Sequence, residues 1–305
     1  MSEPDTEAGH AASDVPVCYR HPTRETYIRC ARCDRPICPE CMTSAAVGFQ
    51  CPECVREGRT AQRPVRTVAG ATVRQGPPVV TVSIVVACAA VWVLQITIPG
   101  LTSRFYLLGA AVAGGEWYRL VTAGFLHAGF LHIALNMWVL WVFGQPVEAL
   151  LGRARFLTVY LVSLVAGTTA SYVFNSPLTP SLGASGAIFG VVGAMIVLGK
   201  RLRMPLGWVV SFVVLNLAFT VFVSGIDWHA HLGGLAGGMA LTAAMVYPPR
   251  QYRVVAWVAA TVVLLAGLTG VAVSRTQVVQ QTPEYAFYWS PAGQQLHQDN
   301  TRPFP

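Results

Sequence analysis

The stretch SLGASGAIFGVVGA, residues 181–194, decides how this chain is read. A short Gly-Ala junction leads into Ser185, and Ser185 heads an apolar run carrying Gly186, Gly190, Gly193 and Ala194. A strip of small residues lets one membrane helix pack closely on another. A polar group inside a bilayer is costly and usually functional. The stretch HLGGLAGG, residues 231–238, has the matching design: His231 heads an apolar run, with Gly234 and Gly238 at i+3 and i+7 on its own helical face. His127, His132 and Asn136 open a third such run, and the four-residue spacing puts His132 and Asn136 on one face.

The chain around these stretches is built for lipid. It is 53% apolar and 11% charged, against roughly a quarter charged in soluble domains. Apolar runs of bilayer-spanning length recur at 79–98, 127–145, 154–174, 184–200, 207–224, 229–247 and 254–273. This predicts an all-α polytopic membrane protein, with a six-helix core over 79–247 and a seventh span at 254–273. The polar start reads as lacking a cleavable leader, and the first span is expected to act as an uncleaved anchor. The connection 99–126, with Phe105, Tyr106, Trp117 and Tyr118, is too apolar for an ordinary loop and is expected in the membrane interface or dipping into the bilayer edge. Residues 1–14 and 274–305 read as little-ordered polar ends, the second outside the cytoplasm, and 61–78 as a basic linker.

Charge sets the expected topology. Arg63, Arg66 and Arg74 precede span 1, Arg153 and Arg155 follow span 2, Lys200, Arg201 and Arg203 follow span 4, and Arg250 and Arg253 follow span 6. The opposite loops hold only Arg104, Arg119, Glu116 and Asp227. The positive-inside rule puts the N-terminus in the cytoplasm and the C-terminus outside. Spans 2, 4 and 6 then all enter from the outside, so His127, His132, Asn136, Ser185 and His231 share one depth in the outer leaflet. The net charge of +7 with acids interspersed fits topology control, and nucleic acid is not expected as a partner.

A serine becomes a nucleophile when a base takes its proton, and histidine is the usual base near neutral pH. Close packing of spans 4 and 6 would bring Ser185 within reach of His231. Free N–H groups at the start of span 4, with His132 and Asn136 as side-chain donors, suit an oxyanion. Each residue alone has an ordinary explanation: Ser185 as a small packing residue, His231 as an interfacial histidine, His132 and Asn136 as interhelical glue. Their common depth favours a site. His229 faces elsewhere on the helix, and Asp227 is a weak candidate for orienting His231.

The region 79–247 resembles the rhomboid intramembrane serine proteases. The resemblance rests on Gly183-Ala184-Ser185-Gly186, on His231 with Gly234 and Gly238, and on His127 with His132 and Asn136. Glu116-Trp117-Tyr118-Arg119, with Tyr118 where tryptophan is usual, and the acid Glu148 after span 2 complete it. It implies a catalytic dyad of Ser185 and His231 without an essential acid. It also implies an oxyanion hole of His132, Asn136 and the Ser185 N–H. Phe189 stands where some members carry a tyrosine packed against the histidine. The implied substrates are single-span membrane proteins cut near the outer end of their helix, entering laterally past span 5. The implied location is the plasma membrane. The competing reading is an inactive rhomboid-like protein that binds membrane clients; such relatives lack the serine or histidine that this chain keeps. A zinc-module adaptor with a mere membrane anchor would need one span and no polar row.

Residues 15–60 form a separate module. Cys18-x-x-His21, Cys30-x-x-Cys33, Cys38-x-x-Cys41 and Cys51-x-x-Cys54 supply eight ligands, enough for two tetrahedral zinc ions in saturated, structural sites. A segment this short with few large apolar residues needs metal to fold. The spacing resembles a B-box-type zinc finger, which implies crossed ligation: Cys18, His21, Cys38 and Cys41 on one ion and Cys30, Cys33, Cys51 and Cys54 on the other. Sequential pairing is the alternative. The expected role is to bind a cytoplasmic protein.

Overall fold

The computed structural model describes residues 15–61, 66–72, 76–223 and 225–299. The expected disorder over 1–14, and Arg63 and Arg74 of the basic linker, lie outside the described residues. The chain divides into two compact units at about residue 64.

The first unit holds two small antiparallel ribbons, β1 (Val17–Cys18) with β2 (His21–Glu25) and β3 (Thr43–Ser44) with β4 (Phe49–Gln50), followed by α1 (Pro52–Ala61). Among the described residues, cysteines make up most of its buried interior, with Ile37 the one fully buried aliphatic side chain. Thr26 donates to the Ile37 carbonyl at 2.9 Å, and the Arg35 guanidinium lies 4.3 Å from the Tyr19 ring.

The second unit is helical. The long helices are α2 (Val79–Thr97), α6 (Phe130–Leu151), α7 (Arg153–Phe174), α8 (Ser185–Leu202), α9 (Gly207–Phe222), α10 (Trp228–Val246) and α11 (Arg253–Val279). Between α2 and α6 run the short helices α3 (Leu101–Phe105), α4 (Gly109–Ala113) and α5 (Arg119–Thr122), and the chain closes with α12 (Pro283–Tyr288) and α13 (Pro291–Asp299). Five of the long helices are long and apolar enough to cross a membrane. α9 is shorter at 16 residues, and α10 dilutes its apolar residues with His229, His231 and several glycines. It is a multi-pass membrane protein.

Two expectations need correction. The second span starts at Phe130, leaving His127 in the preceding loop, and runs on through Pro146 to Leu151. A proline removes one intrahelical bond, but packing holds the helix: Phe143, Val147 and Leu151 are all buried. The connection 99–126 is folded, with Leu107, Leu108 and Ala110–Val112 buried in clusters of their own. The tail is helical over most of its described residues. α11 continues to Val279, and Tyr288 of α12 packs on Leu108, Ala110 and Ala111.

The ends of the core helices are held by specific groups. Glu148 in the last turn of α6 accepts hydrogen bonds from Val80 N–H, Thr81 N–H and the Thr81 hydroxyl at 2.8–3.0 Å, satisfying free donors at the start of α2. Gly152 alone joins α6 to α7, at a φ of +84° that suits glycine. Arg253 donates to the carbonyls of Pro248 and Val68, fixing the start of α11.

Candidate active site and metal centres

α8 and α10 meet through glycine. A Cβ on Gly234 would fall on the Gly186 carbonyl, and one on Gly238 on the Gly190 carbonyl. α7 closes the third side, where a Cβ on Gly167 would lie 2.8 Å from the Ala230 carbonyl oxygen. Backbones this close bring together side chains 46 positions apart in sequence: His231 Nε2 lies 2.8 Å from Ser185 Oγ. Phe189, one turn along α8, stacks on the imidazole with centroids 4.3 Å apart and planes 6° apart. That contact fixes the ring plane.

His132 and Asn136 stand in the first two turns of α6. His132 Nδ1 accepts from the Ala128 N–H at 3.3 Å, which leaves the proton of the neutral ring on Nε2. A Cβ on Gly183 would lie 3.0 Å from His132 Nε2 and 3.7 Å from Ser185 Oγ, so that ring edge and the serine flank the same glycine. Gly183 also sits at a φ of +133°. Asn136 is buried and donates one amide proton to the His132 carbonyl at 2.9 Å, leaving its second. His127 is buried against the His132 ring, 5.3 Å between centroids.

Two neighbours do not join the pair. Asp227 spends its carboxylate on the Ser181 hydroxyl and on the Ala230 N–H, and His231 Nδ1 finds no partner among the described residues. His229 stacks on Phe174, away from Ser185.

The rhomboid domain family model matches residues 114–248, the stretch that carries the whole polar cluster. Over 142 residues the chain is 40% identical to "Putative rhomboid protease YdcA" of Bacillus subtilis, covering 70% of that protein and 45% of this chain. The chain belongs to the rhomboid family. It is also 43% identical over 142 residues to rhomboid protease GluP of Bacillus subtilis, covering 45% of this chain but 28% of that protein. RHOMBOID-like protein 6, mitochondrial, of Arabidopsis thaliana is 33% identical over 147 residues, covering 46% of this chain and 47% of that protein. The match thus spans less than half the length of two of these three relatives.

Within this rhomboid chain, the Glu116–Arg119 segment has a structural task. Buried Arg119 pairs with Glu116 at 2.6 Å and donates to the carbonyls of Ser103 and Tyr106. Tyr118 donates to the same Glu116 carboxylate at 2.7 Å. Sequence reading missed Gln95, a lone amide inside the first span. It accepts from His127 N–H at 2.9 Å and donates to the His127 carbonyl at 3.1 Å, fixing the loop before α6. The available signal was its polarity in an otherwise apolar run.

In the N-terminal unit the eight ligands fall into two sets, Cys18, His21, Cys38 and Cys41, and Cys30, Cys33, Cys51 and Cys54. Within each set the ligand atoms lie within 4.8 Å of one another, and each set is able to hold a metal ion. His21 Nδ1 stands 3.3 Å from Cys38 Sγ and 3.4 Å from Cys41 Sγ, and Cys33 Sγ stands 3.7 Å from Cys51 Sγ. A tetrahedral zinc site with Zn–S bonds near 2.3 Å separates its sulfurs by about 3.8 Å, so the donors fit that ion. The grouping is the crossed one. Arg35 Nε donates to Cys33 Sγ at 3.3 Å and holds that thiol below its ordinary value, which favours the ligating thiolate.

Proposed function

We propose that this chain is an intramembrane serine endopeptidase that hydrolyses peptide bonds at the outer end of transmembrane segments. The observation that carries the reading is the 2.8 Å approach of His231 Nε2 to Ser185 Oγ, under a stacked Phe189, at the mouth of membrane helices. Ser185 attacks the scissile carbonyl carbon and forms the Oγ–C bond as its proton passes to His231 Nε2. The oxyanion is met by the Ser185 N–H at the start of α8, by His132 Nε2–H and by the free amide proton of Asn136. His231 then gives its proton to the leaving amine as the C–N bond breaks. Water, deprotonated in turn by His231, attacks the acyl carbon, and the C–Oγ bond breaks as His231 returns the proton to Ser185 Oγ.

The substrates are membrane proteins, and a segment unwinds before it is cut because an α-helix hides its carbonyls from a nucleophile. Lateral entry past α9 fits a helix that buries only Val209, Val213 and Thr220 among its residues. The protein lies in the plasma membrane, with its N-terminus in the cytoplasm and its C-terminus outside. The N-terminal module holds two structural zinc ions in saturated sites and recruits a cytoplasmic protein, either a regulator or the inner end of a substrate. Thiolates in a reducing compartment suit zinc better than disulfides.

The test is cleavage of a fluorescent single-span protein in proteoliposomes. Wild type is expected to cut near the outer end of the span, and Ser185→Ala to lose activity while keeping its thermal transition. Cleavage retained by Ser185→Ala would remove the nucleophile. Binding of the span without cleavage by wild type would favour the client-binding reading.

A further inference from the structure

The strand that delivers Ser185 and the helix that delivers His231 are tied by one side-chain bridge. Ser181 Oγ donates to Asp227 Oδ2 at 2.7 Å, while Oδ1 of the same carboxylate accepts from the Ala230 N–H at 3.2 Å and caps α10. Ser181 lies four residues before Ser185, and Asp227 four before His231. The Asp227 side chain is 16% exposed, and the pair is charge-assisted, the stronger kind of hydrogen bond. His229 Nδ1, at 3.7 Å, is too far to compete for Oδ1. Ser181 is itself held by a two-way backbone pairing with Leu107, 2.9 Å each way, and Gly183 N–H donates to the Ala123 carbonyl. The serine strand therefore has a fixed edge on one side and the Asp227 carboxylate on the other.

We propose, resting on the protease reading, that Ser181 and Asp227 are positioning residues that set the Ser185–His231 distance. The carboxylate does not touch His231 and takes no proton. It holds the first turn of α10 in register with the serine strand, so a shift at either residue opens the 2.8 Å contact. A small misplacement of reacting groups is expensive in rate. The glycine contacts between α8 and α10 fix helix separation, and the bridge fixes the mouth, where the chemistry sits.

The experiment uses the full chain in proteoliposomes with the fluorescent single-span protein, measuring kcat, KM and the thermal transition together. Ser181→Ala leaves the α10 cap intact and is expected to lower kcat roughly tenfold, with KM and the transition unchanged. Ser181→Thr restores the hydroxyl and is expected to restore kcat. Asp227→Ala loses both bonds, and adding Ser181→Ala to it is expected to cost nothing more in kcat, the signature of a coupled pair. Wild-type kcat in Ser181→Ala, or losses that simply add in the double variant, would overturn the bridge while leaving the protease reading intact. A wild type that cuts nothing would overturn the protease reading and this proposal with it.

Discussion

The two compact units are held together by opposite means. Among its described residues, the unit around the eight ligands buries little besides cysteine, with Ile37 as the one large fully buried aliphatic side chain. The membrane unit buries Leu140, Phe143, Phe156, Tyr160, Met245 and many others, and draws its specificity from glycines that admit a neighbouring backbone. In the first, ligand atoms take the place of a hydrophobic core. In the second, lipid offers no hydrophobic drive between helices, so shape and a few polar bonds select the partners. A small domain needs an added staple, whereas a membrane bundle needs close fit.

Removing the ligands separates the two designs most sharply. Binding of structural zinc supplies on the order of 10 kcal/mol to a small domain. Strong chelation, or Cys33→Ser, is expected to unfold the N-terminal unit, read as lost protection from protease. The membrane helices and basal cleavage of a model substrate should remain. Total loss of cleavage in Cys33→Ser would mean that the two units act as one.

The reverse experiment is Gly238→Leu. Its side chain would collide with the Gly190 carbonyl, which cannot move without separating α8 from α10. Overpacking of this kind costs roughly 1–3 kcal/mol or more. The variant is expected to lose activity and heat stability while binding zinc normally. Wild-type activity would show that the helix contact is looser than the glycines imply.

Within the membrane unit, Glu148→Gln tests polar end-fixing against packing. The carboxylate serves three donors at the start of α2, so a loss of about 1–2 kcal/mol in stability is expected, with little change in KM. The smallest expected effect is at Phe189. A stacked aromatic pair is worth about 0.5–1.5 kcal/mol beyond its area, so Phe189→Ala should lower kcat by up to roughly tenfold and Phe189→Tyr should be tolerated. A Phe189→Ala enzyme at full rate would mean that the glycine packing alone orients the imidazole.

The legibility of each part follows its physics. The long helices could be read because a bilayer imposes a length and an apolar composition. α10 was readable despite its histidines because Gly234 and Gly238 fall on the face of His231. The last helices were not readable. α12 and α13 are short, and α12 is held by tertiary contacts such as Tyr288 on Leu108 and Ala110. The Thr282 cap with Pro283 and Glu284 behind it was the local sign of α12, but six residues carry no helical period to support it. Gln95 and the Ser181–Asp227 bridge escaped notice because they join segments 32 and 46 residues apart. For the ligand module, the four pairs by themselves are compatible with either connectivity; the B-box resemblance implied the crossed sets, and the folded chain groups them that way. Ser185 and His231 stood out because a polar residue heading a glycine-lined apolar helix is costly without a task.

The measurement that bears most directly on the central claim is the labelling of purified full-length protein by a serine-reactive fluorophosphonate. Wild type is compared with Ser185→Ala and His231→Ala. Labelling of the wild type and of neither variant is the expected result, because the probe reports a serine activated by its base. A well-folded wild type that resists the probe, or a His231→Ala variant that labels as fast as wild type, would contradict the dyad.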